Sequence, residues 1–254
     1  MGGIMKLAKI IRFASVALAL SSTVFTATAA STSDVVSKRD ISAKLQSLVP
    51  FVVIDVTEHE TGLYEIVADK GVFYATKDGK HLFSGAVHQF QEGLPNLTEM
   101  KKQEVAKTMI DTLRPTFLTY KAPQQKHEII AFFDSSCGYC RKMHSEMSRY
   151  NAMGITVHYA LFPRNGLQSQ SVTDLSSVAC SANSQVAMNT LMQGGAIQPA
   201  TCDSPVSKHY DLGQWLGVSG TPMIFNMGGE IVMEGYAPAN TMLTALSTGN
   251  YNQR

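Results

Sequence analysis

Two cysteines separated by two residues, Cys137 and Cys140, follow an apolar run in this sequence. The run HEIIAFF, residues 127–133, is typical of a buried strand, and the residues after the second cysteine have the pattern of a helix that ends at Gly154. The pair therefore lies where a strand is followed by a helix. This placement restricts both the fold and the chemistry of the chain more than any other feature does.

Several kinds of chemistry use a C-x-x-C pair. Structural zinc normally takes four ligands from two paired clusters, and near this pair only His144 offers a third ligand. Covalent haem attachment needs a histidine directly after the second cysteine, where this chain has Arg141. A permanent disulfide staple is the third alternative to redox chemistry.

Redox chemistry fits the position of the pair best. Cys137 is predicted to lie at the start of the helix, where unpaired backbone N–H groups and the helix dipole favour a thiolate. Such surroundings lower a cysteine pKa from ~8.5 into roughly the 3.5 to 7.5 range. Cys140, one turn inside the helix, is better shielded and is placed to attack a mixed disulfide at Cys137. The spacing thus predicts a nucleophile, Cys137, and a resolving thiol, Cys140.

The N-terminus predicts export. Three cations, Lys6, Lys9 and Arg12, precede an apolar stretch that ends in Ala27-Thr28-Ala29, so residues 1–29 are predicted to be a cleaved signal peptide. A transmembrane anchor is the less favourable alternative, because Ser and Thr dilute a stretch that is barely long enough to span a bilayer. Outside the cytoplasm disulfides persist. The formal net charge of +1 gives no indication of binding to nucleic acid or to an anionic membrane.

The rest of the chain predicts an α+β protein in two parts. Residues 30–95 combine a short helix with β-rich runs separated by glycine turns, which is typical of a small antiparallel sheet. Residues 97–113 predict a polar helix with a narrow apolar stripe, which Arg114-Pro115 ends or bends. Residues 123–254 have the order β-α-β, a helical insertion, then β-β-α, which predicts a mixed sheet flanked by helices.

A second motif, GVSGTP at 217–222, lies downstream of the cysteines and just before a strand candidate. The strand, the C-x-x-C pair, the helix and this motif together resemble the thioredoxin superfamily, in which the motif's proline is cis and faces the cysteines. Because Pro222 has no N–H, the backbone of Thr221 is left to pair with an extended substrate segment. An ordinary turn proline is the alternative.

A closer resemblance extends over essentially the whole chain after the signal peptide. It is carried by TKDGKHLFSG, YKAPQQKH, CGYC, YNAMGITVHYALFPRNGL and HYDLGQWLGVSGTP, which resemble the DsbC/DsbG family of bacterial periplasmic disulfide isomerases. The resemblance implies a V-shaped homodimer with a dimerisation domain over 30–95, a linker helix over 96–122 and a thioredoxin-like catalytic domain over 123–254. Position 131, where thioredoxin carries a buried acid, is Ala131, so another group or water is expected to take the proton of Cys140.

The function that the resemblance implies is periplasmic isomerisation of disulfides in misoxidised exported proteins, with chaperone-like binding. It implies these site residues: Cys137 and Cys140 as catalytic, Gly138, Tyr139, Thr221 and Pro222 as substrate-binding, and Cys180 with Cys202 as a structural disulfide. A membrane thiol reductant of the DsbD type is the implied electron donor, and no cofactor, metal or nucleic acid is expected. The alternatives are a DsbG-like reductase and chaperone, and a binding module in which redox activity is secondary.

Overall fold

The computed structural model describes residues 35–251, so the predicted signal peptide, residues 1–29, lies outside the described residues. The strands are β1 Val53–Glu58, β2 Tyr64–Ala68, β3 Gly71–Ala75, β4 Leu82–Ser84, β5 Leu118–Tyr120, β6 His127–Phe133, β7 Ile155–Leu161, β8 Met223–Asn226 and β9 Ile231–Glu234. The helices are α1 Lys38–Leu48, α2 Leu97–Leu113, α3 Gly138–Ser145, α4 Met147–Ala152, α5 Gln170–Cys180, α6 Ser184–Met192, α7 Val206–Trp215 and α8 Ala239–Thr248. Within residues 35–251, no helix has the length and apolar character needed to cross a membrane.

The N-terminal part is a four-stranded antiparallel sheet in the order β1-β2-β3-β4, as the glycine-separated runs predict. Helix α1 starts at Ser37, whose side chain accepts a hydrogen bond from the Asp40 N–H, and it buries Ile41 and Leu45 against the sheet. The turn before β4 requires glycine at Gly79, because its φ is +64° and a Cβ there would lie 2.9 Å from Ile41 Cδ1. Strand β4 forms one edge of this sheet.

Helix α2 covers residues 97–113, the range that the sequence predicts, and packs at both ends. Near its start, Thr98 is buried and its hydroxyl donates to Tyr74 of β3 at 3.3 Å. Further along, the Trp215 indole donates to the carbonyl of Lys102 at 3.3 Å, and Ile110 is fully buried against the second sheet. The narrow apolar stripe of this polar helix is therefore a packing face.

The second sheet has the order β5-β7-β6-β8-β9, in which β6 and β7 are parallel and the other neighbours are antiparallel. Alternate residues of β6 face opposite layers, as a strand requires. Ile130 and Phe132 pack with α2 and α7, whereas Ile129, Ala131 and Phe133 pack in the cluster that holds the two C-x-x-C cysteines. This arrangement confirms the predicted mixed sheet flanked by helices.

Two elements differ from the sequence prediction. Strand β5 lies within the predicted linker 96–122 and pairs with β7, and its three residues are too few to show a period. The single helix predicted after the cysteines is two helices, because Glu146 leaves helical geometry between α3 and α4. The Glu146 carboxylate there accepts a hydrogen bond from Tyr236 at 2.8 Å, which joins this break to the segment after β9.

The helical insertion contains α5, α6 and α7 and is closed by a disulfide between Cys180 and Cys202. This is the pair that the family resemblance implies. The cysteines are 22 residues apart in sequence, and closing a loop of that length contributes on the order of 3 kcal/mol in the chain-entropy treatment.

His209 of α7 connects three elements at the base of the insertion. The Leu161 N–H donates to His209 Nδ1 at 3.1 Å, so the ring proton is on Nε2, which donates to Thr116 Oγ1 at 2.9 Å. Complete burial favours the neutral imidazole and lowers the pKa of His209 to about 4. The folded protein therefore keeps this histidine neutral at pH values where the unfolded chain binds a second ring proton.

We expect the free energy of unfolding to fall between pH 6.5 and about 4 because of His209. In this window the unfolded chain takes up the proton and the folded protein does not, a difference on the order of 3 kcal/mol for a pKa lowered from 6.5 to about 4. Urea unfolding across this range should show that the free energy of unfolding falls less steeply with decreasing pH in His209→Gln than in wild type. That variant is less stable than wild type at neutral pH. The exposed control His81→Gln should keep the wild-type slope. Equal slopes for His209→Gln and wild type would contradict the assignment.

Candidate active site

Cys137 occupies the N-cap of α3, between the end of β6 and the first turn of the helix. The Cys140 N–H points at Cys137 Sγ at 3.3 Å, and the Cys137 thiol donates to the carbonyl of Thr221 at 3.0 Å. The Thr221–Pro222 peptide bond is cis. The C-x-x-C pair and the GVSGTP motif lie far apart in the sequence, yet both contact the sulfur atom of Cys137.

The surroundings of Cys137 favour its thiolate and lower its pKa to about 5. The largest cause is a hydrogen bond from the Cys140 side chain, and the Thr221 hydroxyl and the backbone N–H groups of Cys140 and Tyr139 add to it against the cost of burial. Thr221 Oγ1 is buried and has no other hydrogen-bond partner among residues 35–251, so it is available to donate to a sulfur anion. Cys137 is consequently a thiolate at neutral pH.

Cys140 has the opposite character. It is completely buried one turn inside α3, and burial is the main reason why its pKa is raised, with the neighbouring Cys137 charge acting in the same direction. The hydrogen bond between the two side chains couples these effects, since a proton held on Cys140 stabilises the anion on Cys137. The site therefore contains one ionised thiol and one protonated thiol.

A buried carboxylate holds the loop between β6 and α3. Asp134 is completely buried, and one of its oxygens accepts from the Ser136 N–H, the Ser136 hydroxyl and the Ser171 hydroxyl at 2.8, 2.9 and 2.8 Å. The other oxygen accepts from the Arg164 N–H at 2.9 Å, with the Arg164 guanidinium 3.7 Å away. Such saturation is what a buried charge requires. Asp134 thereby fixes the approach to Cys137 against α5.

A groove lies beside the cis-proline. It has a volume of about 290 Å³ and is lined by Ser219, Gly220, Thr221, Pro222, Met223, Glu234 and Gly235. Of the two residues between the cysteines, Tyr139 is 65% exposed, and a Cβ on Gly138 would meet nothing within 4 Å. The four predicted substrate-binding residues thus lie at or next to Cys137, beside a groove open to solvent.

Sequence reasoning missed two parts of this site. Asp134 could have been noticed as an acid directly after the apolar run and before the cysteines, a position where a charge is unusual unless it is paired. His144, which the spacing offered only as a metal ligand, instead contacts Tyr159 and Asn189. Neither of these partners lies near it in sequence, so no local pattern indicates the contact.

Comparison with known proteins identifies the class and then the family. A family profile described as a thioredoxin-like domain matches residues 113–250, which makes this chain a thioredoxin-like protein, and its free C-x-x-C pair gives it the groups for thiol–disulfide exchange. A second profile, the disulfide bond isomerase protein N-terminal domain, matches residues 26–99.

Curated relatives agree with both profiles. The thiol:disulfide interchange protein DsbC of Dickeya dadantii is 40% identical over 73% of this chain and 76% of its own length. DsbC of Salmonella typhimurium is 41% identical, over 67% and 71% of the two chains, and DsbC of Haemophilus influenzae is 32% identical over 81% and 88%. The chain belongs to the DsbC family of thiol:disulfide interchange proteins and is a disulfide isomerase of that family.

The rate at which Cys137 is alkylated should rise as its thiolate forms near pH 5. We expect the rate of reaction with iodoacetamide to rise through about pH 5 and to level off below neutrality, because the pKa of Cys137 is lowered to about 5. In Cys140→Ala the midpoint should move upward, since the largest stabilising hydrogen bond is gone. Mass spectrometry of the alkylated peptide reports the rate at each pH. A wild-type midpoint near ~8.5, the value of a free cysteine, would contradict this description.

Proposed function

We propose that Cys137 is the nucleophile and Cys140 the resolving thiol of a disulfide isomerase that acts on misoxidised exported proteins in the periplasm. The observation that carries this proposal is the asymmetry of the pair: the Cys137 sulfur accepts hydrogen bonds at the helix start, while Cys140 is completely buried and protonated. An attacking thiol needs thiolate character at ambient pH, which only Cys137 has.

The isomerisation step conserves electrons. The Cys137 thiolate attacks one sulfur of a wrong substrate disulfide, that S–S bond breaks, and a Cys137–substrate disulfide forms with a substrate thiolate released. The released thiolate attacks another substrate disulfide, and a final substrate thiolate attacks the mixed disulfide and frees Cys137. The protonated state of Cys140 favours this route, because a thiol that does not ionise resolves the mixed disulfide slowly.

A second route repairs trapped intermediates. Cys140 loses its proton and attacks Cys137 Sγ, the substrate leaves as a thiol, and a Cys137–Cys140 disulfide remains. This route reduces the substrate by two electrons, so the enzyme then requires an external dithiol. A membrane thiol reductant of the DsbD type is our proposal for that donor.

The groove beside Pro222 is the proposed binding place for the substrate strand. When Cys137 is a thiolate or part of a mixed disulfide, it no longer donates to the Thr221 carbonyl, which is then available to a substrate N–H. Backbone pairing of this kind does not depend on the substrate side chains. The proposed roles of Gly138 and Tyr139 are to leave space and to supply an exposed ring next to the attacked disulfide.

Single cysteine variants should separate the two roles. We expect Cys137→Ser to abolish reactivation of scrambled ribonuclease, because no other free thiol among the described residues is ionised at neutral pH. Cys140→Ser should retain part of the activity and accumulate mixed disulfides, which mass spectrometry detects after acid quenching. Accumulation in Cys137→Ser and none in Cys140→Ser would reverse the assigned roles.

The edge of the N-terminal sheet is the proposed dimer interface. Strand β4 is an edge strand, and on it Leu82 and Phe83 are exposed. Two more apolar side chains, Phe90 and Leu94, are exposed in the segment that follows. An exposed strand edge with apolar side chains is a template for pairing with another chain. Two subunits joined there would present two catalytic sites to one partly unfolded substrate.

Gly85 provides a test of this interface. It follows β4, and a Cβ placed on it would meet nothing within 4 Å in its own subunit, so a long side chain would project away from the fold. We expect Gly85→Arg to be monomeric by light scattering, to keep simple dithiol reductase activity, and to lose most isomerase activity.

Gly85→Ala is the matched control for the backbone. The φ of Gly85 is +138°, which strains any L residue, so the alanine variant shares the strain but not the bulk and charge of arginine. It should remain dimeric. If Gly85→Arg is monomeric and still isomerises at the wild-type rate, dimerisation is not needed for the activity.

A further inference from the structure

A second cavity, which shares no lining residue with the groove beside Pro222, lies along helices α3, α4 and α6. It is open to solvent and has a volume of about 540 Å³. Most of its lining is polar and uncharged, and includes Ser145, Ser148, Asn151, Asn189 and Gln193. A cavity lined in this way suits a polar ligand that exchanges hydrogen bonds with the protein.

Arg141 gives this cavity its charge. It is the one charged side chain among the lining residues that the structure describes, because burial lowers the pKa of His144 and keeps that imidazole neutral. The Arg141 guanidinium donates to the Ser135 carbonyl at 3.3 Å, and within residues 35–251 it forms no ion pair. A guanidinium carries several N–H donors in a planar fork, so most of them remain for a ligand.

The charged end of the cavity lies beside the nucleophile. Arg141 is one turn after Cys137 on α3, and its backbone N–H donates to the Cys137 carbonyl at 3.1 Å. The guanidinium reaches back to Ser135, which is two residues before Cys137 in the catalytic loop. A substrate whose disulfide is attacked by Cys137 therefore passes close to this cation.

Two other cations near the catalytic loop are held by partners of their own. The Arg164 guanidinium lies 3.7 Å from the buried Asp134 carboxylate, so these two charges compensate each other. The Lys142 ammonium lies over the Tyr236 ring, 4.8 Å from its centroid. Arg141 is thus the cation that a negatively charged group next to the attacked disulfide would meet.

Unused donors continue from Arg141 into the cavity. Asn189 Oδ1 accepts from His144 Nε2 at 3.0 Å and from the Tyr120 hydroxyl at 3.1 Å. The N–H groups of the Asn189 amide are left without a partner among the residues that the structure describes. The side chain of Gln193 is exposed and lines the same cavity. One cation together with neutral N–H donors is the combination that binds a carboxylate.

We propose that this cavity binds an acidic segment of the substrate polypeptide, and that Arg141 is the specificity-determining residue that pairs with its carboxylate. The inference rests on the proposed role of Cys137 as the nucleophile, and it adds a side-chain preference to the backbone pairing at Thr221. In the step concerned, a Cys137–substrate disulfide forms, the substrate S–S bond breaks, and one substrate sulfur leaves as a thiolate. A carboxylate paired with Arg141 makes more encounters productive and so raises the rate of this bimolecular step.

Matched disulfide peptides test the pairing. Each peptide has blocked termini and a single cysteine in a disulfide with the same small thiol, and the residues on both sides of the cysteine are either Glu or Lys. Acid quenching and mass spectrometry at neutral pH give the rate at which reduced protein forms mixed disulfides with each peptide. The measured quantity is the ratio of the Glu-peptide rate to the Lys-peptide rate, in which any change in the reactivity of Cys137 itself cancels.

Two variants change the charge of the cavity. Arg141→Gln removes the cation, and Gln193→Glu places an anion among the lining residues. We expect each to lower the Glu-to-Lys rate ratio at least about threefold at an ionic strength of about 0.01 M. The difference from wild type should largely disappear at about 1 M, because salt screens the pairing. Arg141→Lys keeps the charge without the planar fork and should give an intermediate ratio.

Arg39→Gln and Gln103→Glu are the matched controls. Both residues are exposed, in α1 and α2, and each substitution makes the net charge more negative by the same amount as the cavity variants do. The hydrogen bonds that lower the pKa of Cys137 come from Cys140, Thr221 and Tyr139, so neither control removes them. Both controls should keep the wild-type rate ratio.

Each other outcome overturns a distinct statement. An equal rate ratio in wild type and Arg141→Gln refutes the pairing with Arg141. A lowered ratio in Arg141→Gln together with the wild-type ratio in Gln193→Glu refutes the cavity as the binding place. A decrease of the same size in the controls attributes the preference to net charge alone, which also refutes the proposal. Peptide mapping that finds the first adduct on Cys140 refutes the proposed role of Cys137 instead.

Discussion

The hydrogen bonds to the Asp134 carboxylate are the constraint on which the active site depends. A charge in a completely buried position is tolerated only when its oxygens are satisfied, and here the donors come from the loop before α3, from Ser171 of α5 and from Arg164 after β7. The helical insertion and the catalytic loop are thereby fixed to each other. The position of Cys137 follows, because it is three residues after this anchor and its own N–H bonds to the Asp134 carbonyl at 3.2 Å.

The surroundings of the two sulfur atoms then give the thiols different chemistry. The Cys137 sulfur lies at the start of α3, where it accepts from the Cys140 N–H and contacts the Thr221 carbonyl. Both cysteines belong to the same apolar cluster, but at Cys140 burial is the main cause of a raised pKa, so its ionisation is unfavourable. An isomerase benefits from this difference, since a mixed disulfide that resolves slowly gives the substrate time to exchange its own sulfurs. The same burial makes the proton of Cys140 difficult to remove without a base.

The sequence predicts the elements of this fold better than it predicts the contacts between them. Strand β6, from its apolar run, and helix α2, from its narrow apolar stripe, have the bounds that the sequence predicts. Strand β5 is not predicted, because three residues show no period and their role is set by pairing with β7. In the active site, the cysteine pair and Pro222 are visible as motifs. The Asp134 and His144 contacts are not, since their partners come from elements distant in sequence.

Helix α2 shows how a polar connector is held in place. At its C-terminal end, the Arg114 guanidinium donates to both Glu128 oxygens at 2.5 Å, and Thr116 in the following turn accepts from His209. Near its start, Lys101 lies 3.6 Å from the Glu65 carboxylate, which is mostly buried in the N-terminal sheet. Ion pairs at exposed sites contribute little, but the Lys101–Glu65 pair is mostly buried and the Arg114–Glu128 pair is reinforced by hydrogen bonds. Because α2 is fixed at both ends, a partner bound at β4 would determine the position at which Cys137 meets a substrate.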